Sequence, residues 1–303
     1  MSIATPPIDT TLPRRAAAPR TRPWYVDVWI QMVRRKPLGT MGGAIVVVML
    51  AAAVGAEWIS PYGFSQTSLL ERFIVMNTSH WLGTDQLGRD VLTRLMYGAR
   101  ISLYVGFGAV GLGSMLATVI GILSAYFGGR TDMLVQRGVD AWMAFPPLLL
   151  LMSIMSLVGP SVWNITIVLG VAFGIQNSRV VRGVALGIKE NTYIESARAM
   201  GSGHLAIAAR HILPNVMPTI IVVATTGLST VILTEASLSF LGLGVPPPYP
   251  TWGGMLSLAG LDHMYQAPWL AIWPAVALSL AVFGFNMLGD GLRDLLDPRL
   301  KGG

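Results

Sequence analysis

A phosphate-cradling loop of the kind that drives many ATPases needs a glycine-rich run ending in Gly-Lys and a hydroxyl residue, because backbone amides and the lysine must hold the phosphates. This chain has three lysines, Lys36, Lys189 and Lys301, and none follows a glycine. The zinc-protease pattern His-Glu-x-x-His and the nucleophile elbow Gly-x-Ser-x-Gly are absent as well. Four histidines, His80, His204, His211 and His263, are scattered along the sequence, and there is no cysteine to supply a thiolate ligand or a disulfide. No catalytic residue, metal site or cofactor is expected in this chain. The remaining reactive groups of interest are carboxylates in or beside apolar runs: Asp140, Glu235 and Asp290. A carboxylate within a bilayer costs about 2.5–3.5 kcal/mol on insertion scales, so each must face a cavity, a partner or the interface. Asp140 and Asp290 fall near span ends, where water reaches them. Glu235 is deeper.

One polar stretch, Asn191 to Pro214, is flanked by long apolar runs. It must therefore lie outside the membrane, and it reads as two short helices with a break. Thr192 and Glu195 have the spacing of a capping box. Gly201 suits the left-handed turn that ends a helix. His204 to Ile212 forms the second helix, with Leu205, Ile207, Ala208 and Ile212 on its apolar face. Pro214 closes it, and Asn215 is placed to cap the next helix.

The elements that carry these residues are membrane spans. The chain has 303 residues, 53% hydrophobic and only 12% charged. An average protein is about 25% charged, so this is a membrane composition. The fold class expected is all-α, integral to the membrane, with six transmembrane helices: 38–59, 101–127, 139–158, 162–181, 216–241 and 269–288. Residues 1–37 read as a tail and an interfacial anchor, with Trp24, Tyr25 and Trp29 ahead of Arg34, Arg35 and Lys36. The first span fills 38–60. Residues 61–100 form a long segment on the outer side, 101–291 a five-helix core containing the loop 189–214, and 292–303 an inner tail. The first apolar run is long enough to span, so the N-terminus is not expected to be a cleaved leader. Net charge is +6. The positive residues lie beside spans, which points to membrane orientation and not to nucleic acid. Seven precede the first span and five lie from Arg179 to Arg210, so both termini and the Glu195 loop are expected inside. Residues 61–100, with Arg72, Arg89, Arg94 and Arg100, depart from that rule, as long segments do. A stripe of small residues, Ala109, Gly113, Ala117, Gly121, Ala125 and Gly129, recurs every fourth position and predicts a close helix contact.

Glu195-Ser196-Ala197, then Gly201, then Leu213-Pro214, resembles the EAA loop of ABC-importer permeases. Ser196 stands where that pattern has alanine and His211 where it has isoleucine. Trp81 to Leu103, containing Gly-Thr-Asp-Gln-Leu-Gly-Arg-Asp, is similar to a stretch of the dipeptide/oligopeptide/nickel permeases. So are Glu235 to Leu256, with Leu-Ser-Phe-Leu-Gly-Leu-Gly and Trp252-Gly253, and the tail Asp297-Pro298-Arg299. The closest likeness is to the C-type subunit.

The resemblance implies a permease subunit of an ATP-driven, binding-protein-dependent importer of di- or oligopeptides in the bacterial inner membrane. The same mechanism serves nickel chelates and other small solutes, and a secondary transporter or channel is the rival class. Implied partners are a second permease in a heterodimer, two cytoplasmic ATPase subunits or domains holding ATP and Mg, and a binding protein outside. The ATPase-coupling residues would be Thr192, Tyr193, Glu195, Ala197, Arg198, Ala199, Gly201, Leu205, Leu213 and Pro214, with Ala197 and Ala199 leaving room for the ATPase. Pro247, Trp252 and Gly253 would face the binding protein. Glu235 would line the path, hold a peptide amino group or pair with the second permease. Gly113, Ala117, Gly121 and Ala125 would pack helices.

Overall fold

The computed structural model describes residues 32–33, 36–257 and 262–296. The expected tail and anchor up to Arg35, apart from residues 32–33, and the motif Asp297-Pro298-Arg299 lie outside them. Helix α1, Pro37–Ile59, opens on a proline, whose fixed φ suits a first turn. Helix α2, Val91–Phe127, has 37 residues. It starts ten residues ahead of the apolar run at Ile101, because Thr93, Arg94 and Arg100 break up its first turns in a hydropathy reading. Asp90 caps it, accepting from the Thr93 amide at 2.8 Å.

The third expected span, 139–158, is not one straight helix. Helix α3, Gly129–Met143, and helix α4, Pro147–Val158, meet at 88°. Pro146 and Pro147 remove successive backbone donors, so no helix can run through them. Gly128 and Gly129, at φ +62° and +54°, turn the chain out of α2. Helix α5, Val162–Lys189, follows. A loop helix α6, Thr192–Ala199, and a short α7, His204–Ile207, lead to helix α8, Leu213–Phe240. Helix α9, Trp252–Leu256, and helix α10, Trp269–Leu296, complete the described chain. Among the described residues, four continuous helical stretches are long and apolar enough to cross a membrane: α1, α2, 204–240 and α10. The bent α3–α4 pair raises the number to as many as five. The length of α5 matches theirs, but Arg179, Arg182 and Lys189 lower its hydropathy.

The core is built on α2 packed along α5, the most extensive helix contact among the described residues. Here the stripe of small residues lies from Ala109 to Ala125, while its last expected member, Gly129, begins α3 in open space. A Cβ on Gly113 would sit 2.6 Å from the Gly170 carbonyl oxygen, and one on Gly121 2.7 Å from Val181 Cβ. Ala117 and Ala125 are buried beside Val181 and Ala185. Helix α1 uses the same device against α10. A Cβ on Gly39 would come 3.0 Å from Gly291 Cα, and one on Gly42 2.7 Å from the Gly284 carbonyl oxygen. Arg100 ties α1 to α2, donating to the Ala53 and Val54 carbonyls and to Glu57 at 2.7 Å.

The segment before α2 is ordered around Asp85. Its Oδ1 accepts from the Leu87 and Arg89 amides at 2.8 and 3.0 Å, and its Oδ2 accepts from Arg89 Nε at 2.6 Å. Gly88, at φ +70°, passes so close to Ser68 that a Cβ would lie 1.8 Å from its carbonyl oxygen. His80 Nδ1 lies 2.9 Å from the capping Asp90 carboxylate, and Trp269 Nε1 donates to the Thr84 carbonyl at 3.2 Å. The stretch Gly-Thr-Asp-Gln-Leu-Gly-Arg-Asp thus folds a tight turn that starts α2 and anchors it to α10.

Candidate functional site: the 189–214 loop and the opposite end of the bundle

The polar loop folds as a hairpin seated on the ends of α2 and α5. Ile194, Ala197, Ile207 and Ile212 are its buried residues, and they join a cluster with Ala117, Ile122, Tyr126, Val181 and Ala185. Tyr126 adds polar contacts: its hydroxyl lies 2.8 Å from His204 Nδ1, and Arg198 stacks over its ring at 5.9 Å. The opposite face is open. Tyr193, Glu195, Ala199, Met200 and Leu205 are exposed, with Met200 at 80% and Leu205 at 79%. Two large apolar side chains this bare, on a loop fixed by a buried face, form a surface suited to a protein partner.

Several local expectations need correction. Thr192 and Glu195 form no capping box. The N-cap is Asn191, and it makes no side-chain bond to the first amides. Its side chain turns back to the Gly187 and Ile188 carbonyls, the C-terminal end of α5, at 3.2 and 3.0 Å. Two helix ends compete for one amide, and the exposed carbonyls of α5 win. Ala197 faces the bundle, 3% exposed, so only Ala199 of the two alanines is open to a partner. Leu205 lies outward, not on the packed face. Leu213 is half-buried and Pro214 exposed, yet Pro214 does not stop the helix. The chain runs helically from His204 to Phe240, and a π-helical segment, Ala208–Ile212, precedes the proline. A π turn moves the carbonyl that a proline ring would strike. Asn215 does not cap a new helix; its Nδ2 donates to the His211 carbonyl at 2.6 Å.

The break between the two loop helices is well defined. Gly201 has φ +82°. Its N–H donates to the Arg198 carbonyl at 3.0 Å, and the Ser202 N–H donates to the Ala197 carbonyl at 3.1 Å. This is the Schellman pattern, which closes a helix and sets the exit angle of the chain.

Glu235 is fully buried in α8. Its carboxylate accepts from the Ser102 hydroxyl at 3.1 Å and the Ser239 hydroxyl at 2.6 Å. It neither lines an open path nor faces outward here. It joins α8 to α2 within the chain. Glu235→Gln keeps shape and one acceptor, so it is expected to lower the yield of membrane complex and the uptake of every cargo alike. Glu235→Leu leaves two buried hydroxyls unpaired, at about 1–3 kcal/mol each, and its yield is expected to fall further. Loss of one cargo class alone, at normal yield, would make Glu235 a ligand contact instead.

Trp252 and Gly253 point inward as well. Trp252 is 1% exposed and donates from Nε1 to the Leu95 carbonyl at 3.1 Å. A Cβ on Gly253 would lie 2.2 Å from the Ala236 carbonyl oxygen. A short helix must press its glycine face on α8 to bury the indole, so neither residue faces an outside partner. Pro247 is exposed. Asp290 is exposed, while Asp140 pairs with Arg179 of α5. A second pair, Arg182 with Asp132, holds α3 on α5 and has Nε to Oδ1 at 2.6 Å. Those pairs, and the seating of Ile194, were not anticipated, whereas Ile207 and Ile212 pack as the expected apolar face of the second loop helix. The i, i+3 spacing of Arg179 and Arg182 on α5 is the signal that reveals one basic face.

Residues 117–302 match the family described as binding-protein-dependent transport system inner membrane component. Residues 23–75 match the N-terminal transmembrane domain of oligopeptide transport permease C. The chain is 40% identical over 280 residues to the glutathione transport system permease protein GsiD of Pectobacterium atrosepticum, covering 92% of each chain. It is 39% identical over 279 residues to the dipeptide transport system permease protein DppC of Alkalihalophilus pseudofirmus, covering 92% of this chain and 91% of that one. An all-helical chain with several apolar spans and no nucleotide loop, matching these along nearly its whole length, is a multi-pass inner-membrane permease. It belongs to the binding-protein-dependent transport family, in the C-type branch of its peptide permeases.

Proposed function

We propose that this chain is one permease subunit of an ATP-driven importer that brings peptides into the cell. The proposal takes α1, α2, the α3–α4 pair, α5, α8 and α10 as six crossings, with both termini and the 189–214 loop on the inside. It partners a second permease, two ATPase subunits or domains that hold the ATP and Mg, and an outer binding protein. The observation that carries it is the loop: a hairpin locked to the bundle on one face, with Tyr193, Glu195, Met200 and Leu205 open on the other. Such a lever can pass force from ATPase closure into α5 and α8, which it joins. The peptide cargo rests on the relatives, whose names specify glutathione and dipeptide transport.

The test is uptake by a strain lacking this chain, restored by the chain, with labelled di- and tripeptides, glutathione and a nickel chelate as the panel. Restored peptide uptake is expected. Restoration of the nickel chelate alone would overturn the cargo assignment. Orientation is tested separately. A reporter active only outside the cytoplasm is expected to work when fused after Ser68 and to fail after Ser202. Activity at Ser202 would remove the loop from the ATPase side.

A further inference from the structure

The bend between α3 and α4 opens a cavity of about 400 Å³, walled by Phe145, Phe173, Gln176, Thr230, Thr234 and Ser237 among others. A second cavity of about 340 Å³ shares Leu148, Leu233 and Ser237 with it and reaches Leu241 and Leu256. The two form one groove along α8. From Thr230 to Leu241 it covers roughly 16 Å, at about 1.5 Å per residue. It runs from the middle of the helices to the end where α9 packs. Among the described residues, no charged side chain lines either part.

Two observations indicate that this groove faces water or protein and not lipid. Gln176 lies near the middle of α5, and its side chain is exposed into the cavity. Thr234 and Ser237 donate their hydroxyls to the Thr230 and Leu233 carbonyls of their own helix. The Gln176 amide has no such partner among the described residues. An unpaired amide facing hydrocarbon costs several kcal/mol by transfer scales. The chain between α3 and α4 is also non-helical at the same depth, and irregular backbone inside a membrane is tolerated only against protein or a water-filled cavity. On the loop side of Gln176, one turn along α5, Arg179 pairs with Asp140 and closes α3 over the groove.

We propose that this groove is the wall along which the peptide passes through this subunit, and that the Gln176 amide is the polar contact its backbone meets at the closed end. The proposal rests on the peptide-import reading. A primary amide both donates and accepts, so it matches a peptide group whatever side chains flank it. Uncharged walls neither attract nor repel acidic or basic cargo. Passage along this subunit is thus indifferent to peptide charge, and discrimination lies with other parts of the importer.

The test uses the complete importer with its binding protein, at matched complex yield. Gln176→Leu is expected to lower maximal uptake roughly 3- to 10-fold for acidic, neutral and basic peptides alike, with the half-saturating concentration unchanged. Gln176→Lys is expected to introduce charge selection, slowing basic peptides more than acidic ones. The chain contains no cysteine, so a single one can be labelled cleanly. Thr234→Cys is expected to react with a charged, membrane-impermeant thiol reagent and to be protected during peptide transport. Val119→Cys, on an exposed face of α2, is not. Wild-type uptake of all three peptide classes by both Gln176 variants would overturn the proposal. So would an unreactive Thr234→Cys, or one that crosslinks to the second permease and makes the groove a subunit seat. Should the wild-type importer take up no peptide, the parent reading fails, while the labelling still decides whether the groove is a water-filled route.

Discussion

Gly121→Leu is expected to remove most of the assembled complex from the membrane, while Val119→Leu leaves it near the wild-type amount. Both residues lie on α2, two positions apart, and both changes produce the same side chain. Gly121 faces α5, where an added Cβ would lie 2.7 Å from Val181 Cβ and 2.8 Å from the Ser178 carbonyl oxygen. The second is backbone and has no rotamer to escape into. Overpacking a core costs about 1–3 kcal/mol, and forcing two helix backbones apart exceeds the adjustment a side chain can make. In lipid, where no hydrophobic drive holds helices together, close packing is a main attraction, and this contact is the most extensive one among the described residues. Val119 is 47% exposed and has room. The check is the amount of complex extracted intact from membranes. Equal amounts for the two variants would show that the α2–α5 contact is incidental.

Gly201→Val is expected to leave the spans inserted and the protein at normal level, yet to abolish most ATPase co-purification and uptake. The reason is backbone geometry alone. Among the described residues nothing lies within 4 Å of the Cβ position, so no clash with them contributes. At φ +82° a side chain is disfavoured by about 1–2 kcal/mol, and a β-branched one is a strong outlier. Relief of that strain requires the Schellman turn to open, and with it the angle that presents Met200 and Leu205. Gly201→Asn is the control, because asparagine visits the left-handed region more readily, and it is expected to retain most uptake. Should Gly201→Val transport normally with the ATPase bound, the loop is not the coupling element.

What the sequence disclosed depended on the length scale of the signal. Apolar runs marked α1 almost to the residue, α8 to within three residues and the start of α10, because a span is long and its composition is distinct; the polar last turns of α10, from Gly289 to Leu296, lay beyond the expected end at 288. The bend at Pro146-Pro147 was lost to averaging, since both halves are apolar across the join. The start of α2 was lost for the opposite reason: in Val91 to Arg100 the polar Thr93, Arg94 and Arg100 interrupt the apolar residues and lower the average hydropathy. In the 189–214 loop, Gly201 was legible because few residues tolerate its φ. The capping role given to Thr192 and Glu195 was not secure, because Asn191 and the carbonyls of α5 offer a competing set of bonds. Burial was the least legible property. Trp252 and Gly253 resemble an exposed turn in sequence, and only the α8 surface beneath them explains the pairing of an indole with a glycine. Gln176, an ordinary polar residue in a helical run, gains its interest from the cavity it faces.

The central claim is that ATP, hydrolysed by a partner, drives peptide import through this chain. The most direct test is peptide accumulation in cells or right-side-out vesicles whose ATP level and proton gradient are set independently. Accumulation is expected to persist when a protonophore collapses the gradient while ATP is maintained. It is expected to stop when ATP is depleted with the gradient intact. Accumulation that follows the proton gradient and ignores ATP would contradict the claim and make this chain part of a secondary transporter.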